Sequence, residues 1–317
     1  MSFAGHLWTL RGFARRRRIE AAPPGGSPWS TELTDPVVGR VRLSGRLEHR
    51  GPEVVVVVHG LGGCVDTGYV RWAERAVLAA GMTCLALNVR GADRSGEDYF
   101  HAALTDDIAA ALASPELAGY ERVFVLGYSL GGHLALRYAT EEPDPRLGAV
   151  AAVCPPLDLA ACCQHIDRPA AVLYRRYMLA RLAEIYAAVA ARREVPVPVA
   201  EARRIRSQRD FDDRIVAPRH GFAGVDDYYA RASVGPRLDR LACPALVVAA
   251  PGDPMVPAAS LRPFLDRAPR GVDARWIVGG HVGFPLDADL GEPAAPGLES
   301  QVVSWLRRAH GFGREWC

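Results

Sequence analysis

A doubly wound α/β fold, with a mostly parallel sheet covered by helices on both faces, is what this 317-residue sequence predicts. Three observations carry the prediction. Short β-branched runs, of which Val54 to Val58 is the purest, alternate with helical patterns along most of the chain. These runs are apolar without interruption, as strands buried on both faces are. A Gly-x-Ser-x-Gly stretch, Gly127, Ser129 and Gly131, falls where one run gives way to a helix.

The elements follow in order. Residues 1–30 read as an N-terminal arm and linker, the linker being the Pro/Gly-rich Glu20 to Pro28. Two weak strands come next, near 31–35 and 39–48. The alternation then runs strand 53–58, helix 69–80, strand 83–88, helix 103–113, strand 122–127, helix 131–141 and strand 148–154. It resumes with strand 245–250, helix 258–267, strand 273–278 and helix 298–309. The interruption, 159–229, is helical. Near 170–192 it carries an apolar face of Val172, Leu173, Leu179, Leu182, Ile185 and Tyr186, against an arginine-bearing face of Arg175, Arg176 and Arg192. It reads as a helical lid insertion in a core made of 31–158 and 230–317.

Composition narrows the chemistry. Net charge is +2, which implies no strongly charged partner. Every basic side chain is arginine and none is lysine, so Schiff-base lysines, phosphate-loop lysines and Ser–Lys dyads are excluded. The seven cysteines form no C-x-x-C pair, and Cys84, Cys154 and Cys243 lie in or beside apolar runs. They read as deeply buried, reduced thiols of a cytoplasmic protein, with the adjacent Cys162 and Cys163 as occupants of a helix. The opening segment lacks the charge order of a secretory signal, and no run is long enough to span a membrane. Arg15 to Arg18 read as a solvated helix face, with contact to acidic headgroups at a membrane periphery as the alternative. Nothing has metal-ligand spacing, and no nucleotide, nucleic-acid or cofactor motif is present.

The serine carries the chemistry. A nucleophile on a sharp strand-to-helix turn stands clear of the sheet, and glycines two residues to either side leave room for the turn. Serine needs a base and an acid to orient that base. Asp253 follows the strand "ALVVAA", His281 follows "ARWIV", and all three residues lie beyond strand C-termini. The order Ser, Asp, His is that of α/β-hydrolases. A turn aspartate is the plainer reading of Asp253, and Asp158 is the alternative acid. The oxyanion donors expected are the N–H groups of Leu130, directly after the serine, and Leu61, in "HGLGG" (59–63). His59 reads as structural.

Several of these stretches together resemble the YheT-type α/β-hydrolases, a branch of esterases and lipases. "GHLWT" (5–9), "HGLGG", "NVRGADRSG" (88–96), "GYSLGGHLALRY", "GFAGVDDYYARAS" (221–233), "PGDPMVP" and "GGHVGF" fall in that family's order. Trp8 stands where glutamine is usual, and Gly252 replaces the first residue of the usual Asp-Asp-Pro, leaving Asp253 as the second. The resemblance implies hydrolysis of short- to medium-chain carboxylic esters, acylglycerols or phospholipids, with acyl transfer to alcohols in some relatives. Tyr228 and Tyr229 read as packing the insertion onto the core. The expectation is therefore a serine hydrolase working through an acyl-enzyme on a small-molecule or lipid ester. It needs no cofactor, metal, nucleic acid or obligate protein partner. An acyltransferase or thioesterase with the same triad, and a catalytically silent binding protein, are the alternatives.

Overall fold

The computed structural model describes residues 3–20 and 25–309, and of residues 3 and 13–20 only the backbone. The Arg15–Arg18 side chains and Cys317 lie outside the described residues. Eight strands form one sheet in the order β1-β2-β4-β3-β5-β6-β7-β8. They are β1 (Ser27–Asp35), β2 (Gly39–Glu48), β3 (Glu53–Val58), β4 (Thr83–Asn88), β5 (Arg122–Tyr128), β6 (Leu147–Val153), β7 (Ala245–Ala249) and β8 (Val272–Trp276). From β3 to β8 every pairing is parallel; β1 and β2 add an antiparallel hairpin beside β4.

The valine run of β3 shows why the sheet is covered twice. Val54, Val56 and Val58 enter one core and Val55 and Val57 the other, as strand periodicity requires. On the second face pack α2 (Gly68–Ala79) and α12 (Leu298–Ala309). On the first lie α3 (Asp106–Leu112), α4 (Leu130–Ala139) and α11 (Ala258–Leu265). An N-terminal helix, α1 (Phe3–Glu20), precedes β1. Helix α3 starts later than the expected 103, because the Leu104 N–H bonds to His101 O and the chain turns there before Thr105 can cap a helix.

Between β6 and β7 the chain runs through α5 (Leu159–Ile166), α6 (Val172–Ala190), three short helices α7 (Val199–Ala202), α8 (Gln208–Phe211) and α9 (Ala217–Arg219), and α10 (Val225–Ala232). A π turn, Asp212–Val216, joins α8 to α9. The expected apolar face of α6 needs correction at its start. Leu179, Leu182, Ile185 and Tyr186 are buried, joined by Met178 and Val189, but Val172 and Leu173 are 38% and 76% exposed because the first turn overhangs the core. Cys84 and Cys154 are buried; Cys243 is only half-buried, since it lies in the loop before β7 and not in the strand. No helix among the described residues is long and apolar enough to cross a membrane.

Candidate active site

Ser129 sits between the last residue of β5 and the first of α4, with φ 52° and ψ −119°. A non-glycine residue there stores strain. The flanking glycines are required by contact. A Cβ on Gly127 would strike the Gly131 carbonyl, and one on Gly131 would strike the carbonyls of Val58 and His59. The turn is held by Ser129 N–H, which donates to Val153 O at 2.8 Å, and by Ser129 O, which accepts from His133 N–H at 3.0 Å.

The structure brings Ser129, His281 and Asp253 into one chain of hydrogen bonds. His281 Nε2 lies 2.9 Å from Ser129 Oγ, and His281 Nδ1 lies 2.9 Å from Asp253 Oδ2. The carboxylate accepts at Oδ2, so Nδ1 carries the ring proton and the Nε2 lone pair faces the serine hydroxyl. Asp253 Oδ1 accepts from the N–H groups of Met255 and Val256 at 2.8 and 2.9 Å, which fixes the carboxylate. Asp253 is therefore both a turn residue and the partner of His281. The alternative acid, Asp158, is elsewhere: it caps α5, accepting from Ala161 N–H at 2.9 Å.

Leu61 and Leu130 both border the cavity at Ser129, and neither backbone N–H has an acceptor among the described residues. The loop carrying Leu61 is pinned by Tyr69 of α2, whose hydroxyl accepts from Gly60 N–H at 2.9 Å. Helix α6 rests on the same loop: Gly62, at φ 69°, lies so close that a Cβ would come 2.6 Å from Arg181 Cβ. His59 is structural, as expected. Its ring is buried, bonded to Gly60 O, and held neutral by burial, which pulls its pKa down to about 4.

The serine opens on a cavity of about 390 Å³. One wall is α6, through Leu173, Tyr174, Met178, Leu182, Ile185 and Tyr186. The rest of the lining is mostly apolar, with His101, Gln208 and Asp212 among its polar members. Burial pushes the Asp212 carboxyl up to about 7, although Tyr229 Oη donates to it at 2.7 Å and Gln208 Nε2 at 3.0 Å. Tyr228 ties the helices to the core, its Oη accepting from Ala102 N–H at 3.0 Å, whereas the Tyr229 hydroxyl bonds Asp212 and Cys163 within the insertion itself.

One group of donors converges tightly enough for a metal among the described residues, Cys154, Asp253 and His281, within 4.8 Å of one another. Asp253 and His281 already bond each other there, and burial pushes the Cys154 thiol up, against the thiolate a metal needs. The thiol instead donates to Gly280 O at 3.6 Å, beside the histidine.

Two contributors carried no role in the sequence reading. Tyr69 gives no motif. Thr9 of α1 accepts from His281 N–H at 2.8 Å across 272 positions of sequence, a distance no local pattern reports.

Known proteins share the sequence family and the fold of this chain. A sequence model described as alpha/beta hydrolase fold matches residues 53–284. The chain is 32% identical to "Putative esterase YheT" of Escherichia coli (strain K12) over 266 residues, 80% of this chain and 76% of that protein. It is 27% identical to "Medium-chain fatty acid ethyl ester synthase/esterase 2" of Saccharomyces cerevisiae over 74% of this chain, but spans only 58% of the yeast protein's length. In three dimensions it resembles the Pyrococcus furiosus esterase Pf2001, with a TM-score of 0.54, 18% identity, and 92% and 93% of the two chains covered.

Proposed function

The chain belongs to the alpha/beta hydrolase family, in its YheT-like branch, and from that premise we propose that it is a serine carboxylic-ester hydrolase. The observation that carries this reading is the unbroken relay from Ser129 through His281 to Asp253, opening on an apolar cavity.

In this mechanism Ser129 Oγ attacks the ester carbonyl while its proton passes to His281 Nε2. Asp253 holds Nδ1–H and stabilises the imidazolium. The new oxyanion is held by the Leu61 and Leu130 N–H groups, which are free to donate. His281 returns the proton to the departing alcohol, leaving an acyl group on Ser129. Water then attacks the acyl carbon, gives its proton to His281, and the acid departs as Ser129 is restored.

The favoured substrates are short- to medium-chain acyl esters or acylglycerols. The α6 wall supports this, because its side chains offer hydrocarbon to an acyl chain, and so does the name of the yeast relative. Helices α5–α10 then act as a lid over the acyl pocket. The protein works in the cytoplasm, without cofactor, with contact to a membrane surface where the ester is a lipid.

The test is turnover of p-nitrophenyl esters from acetate to palmitate, with labelling of Ser129 by a fluorophosphonate. Each methylene that finds the pocket adds about 0.8 kcal/mol, so kcat/KM climbs roughly four-fold per carbon until the pocket ends. Leu182→Trp moves the optimum to shorter chains. Added alcohols that divert the acyl group, or faster thioester cleavage, would reassign the activity to acyl transfer or thioester hydrolysis. Absence of labelling would make the protein a silent binding module.

A further inference from the structure

We propose that Thr9 is a positioning residue for the base His281, so that helix α1 is a working part of the active site; this rests on the triad reading given above. The Thr9 side chain is 1% exposed, and its hydroxyl is committed at both ends. It donates to Gly5 O at 2.8 Å within its own helix, which turns its lone pairs toward the histidine loop. There it accepts from His281 N–H at 2.8 Å.

The helix approaches at backbone distance. A Cβ on Gly5 would strike the carbonyl of Gly252, the neighbour of Asp253. A Cβ on Gly280 would strike Gly5 O and Thr9, one on Gly283 would strike Trp8 O, and one on Gly12 would come 3.2 Å from Gly283 Cα. Gly5, Thr9 and Gly12 thus form a stripe that seats α1 on the loops of both the acid and the base.

That loop needs holding. Val282, next to the histidine, has φ 48°, a conformation in which a β-branched residue stays only when its surroundings over-determine it. Besides Thr9, the loop is held by Gly280 N–H donating to Gly283 O at 2.8 Å and by the Cys154 thiol on Gly280 O. Both of these act on Gly280, so Thr9 is the one side chain among the described residues that bonds the backbone of His281 itself. Nε2 and Nδ1 must meet Ser129 and Asp253 at once, and a displacement of about 1 Å in such a constellation costs on the order of 100-fold in rate.

The test compares Thr9→Val, which keeps the shape and loses the hydroxyl, with Thr9→Ser, which keeps the hydroxyl, on p-nitrophenyl butyrate well below the melting temperature. Expected is a fall in kcat of about 10–100-fold for valine with KM within about two-fold, and recovery to within about three-fold for serine. Fluorophosphonate labelling of Thr9→Val should reach full stoichiometry, but more slowly. Should Thr9→Val fail to fold, Thr9→Ala supplies the same comparison with Thr9→Ser. If the hydroxyl-free variants keep kcat within two-fold, or lose kcat and serine does not restore it, the proposal is overturned while the triad reading stands. If the wild type itself takes no label, the triad reading has failed first.

Discussion

Two buried polar networks lie just past the C-terminal ends of β4 and β5, the strands on either side of β3. Arg90 follows β4 and Ser129 follows β5. Arg90 is 1% exposed and its guanidinium is enclosed by carboxylates. Nε donates to Asp107 at 2.9 Å and Nη1 to Asp35 at 2.7 Å, with Asp98 at 3.5 Å. Nη2 rests 2.7 Å from Asp107 as an ion-pair contact without a directed hydrogen bond. Arg219 closes the far side of Asp98. The Ser129 network also ends on a buried carboxylate and has hydrogen bonds of similar length, but it stands on a strained backbone, borders a cavity, and keeps two N–H donors without acceptors among the described residues. One network spends its polar atoms on one another and ties together β1, the β4–α3 loop, α3 and α9. The other keeps some in reserve for a ligand. Spare hydrogen-bonding capacity beside a cavity, more than burial or polarity, separates a reactive cluster from a structural one.

The contrast breaks most sharply at the serine. Ser129→Gly should cut ester turnover by roughly 10⁴–10⁶-fold. It should also raise the urea midpoint, because glycine accepts φ 52° without the strain serine stores there, a gain of about 1 kcal/mol after the lost hydrogen bond is counted. A variant both inactive and less stable would mean that the triad is structural cement like the arginine cluster.

Arg90→Met should do the opposite. It leaves Asp35 and Asp107 buried without their cation, and breaking such a network from one side costs about 3–5 kcal/mol. Any folded fraction should still label with a fluorophosphonate at the wild-type rate, since Arg90 touches none of the three active-site residues. Chemical denaturation and labelling on the same sample read both outcomes. A labelling rate that falls with stability intact would join the two networks into one.

The same contrast marks what the sequence makes legible. Ser129, Asp253 and His281 each follow the C-terminal end of a strand inside a short glycine-containing motif, so local pattern reports them, and the strands 39–48, 53–58 and 83–88 coincide with β2, β3 and β4. Arg90 lies inside the quoted NVRGADRSG stretch, but its cluster is illegible, because Asp35, Asp98 and Asp107 are ordinary strand-end, loop and helix-start aspartates until the fold collects them. Thr9 lies inside the quoted GHLWT stretch, but nothing in that stretch reports its partner, His281, 272 positions away. Residues 1–30 read as an arm apart from the body, yet α1 seats on the histidine loop and β1 already begins at Ser27. Long-range hydrogen bonds leave no period in the sequence.

The smallest expected effect tests whether a carboxylate needs an arginine to remain charged when buried. Asp35 has one: burial raises its pKa, but the N–H groups of Val38 and Val37 and the Arg90 guanidinium outweigh this and bring it down to about 2. Asp212 has none. Tyr229 and Gln208 donate to it, Asp167 adds a like charge, and burial carries it up to about 7 from an ordinary 3.8. Between those two values the folded protein holds a proton that the unfolded chain has released. Stability contributed by that proton is therefore present below about pH 4 and is lost as pH rises through about 7, at up to about 1.4 kcal/mol per unit. Asp212→Asn carries no charge to bury and should lack this slope. Its amide must find an acceptor where the acid had donors, a cost that is the same at both pH values, so its advantage over the wild type should be larger at pH 8 than at pH 5 by up to about 3 kcal/mol. Urea midpoints of the two proteins at pH 5 and pH 8 give the comparison directly. Parallel pH dependences would mean that Asp212 is ionised in the folded protein, and that the tyrosine and the glutamine hold a buried carboxylate charged as well as an arginine does.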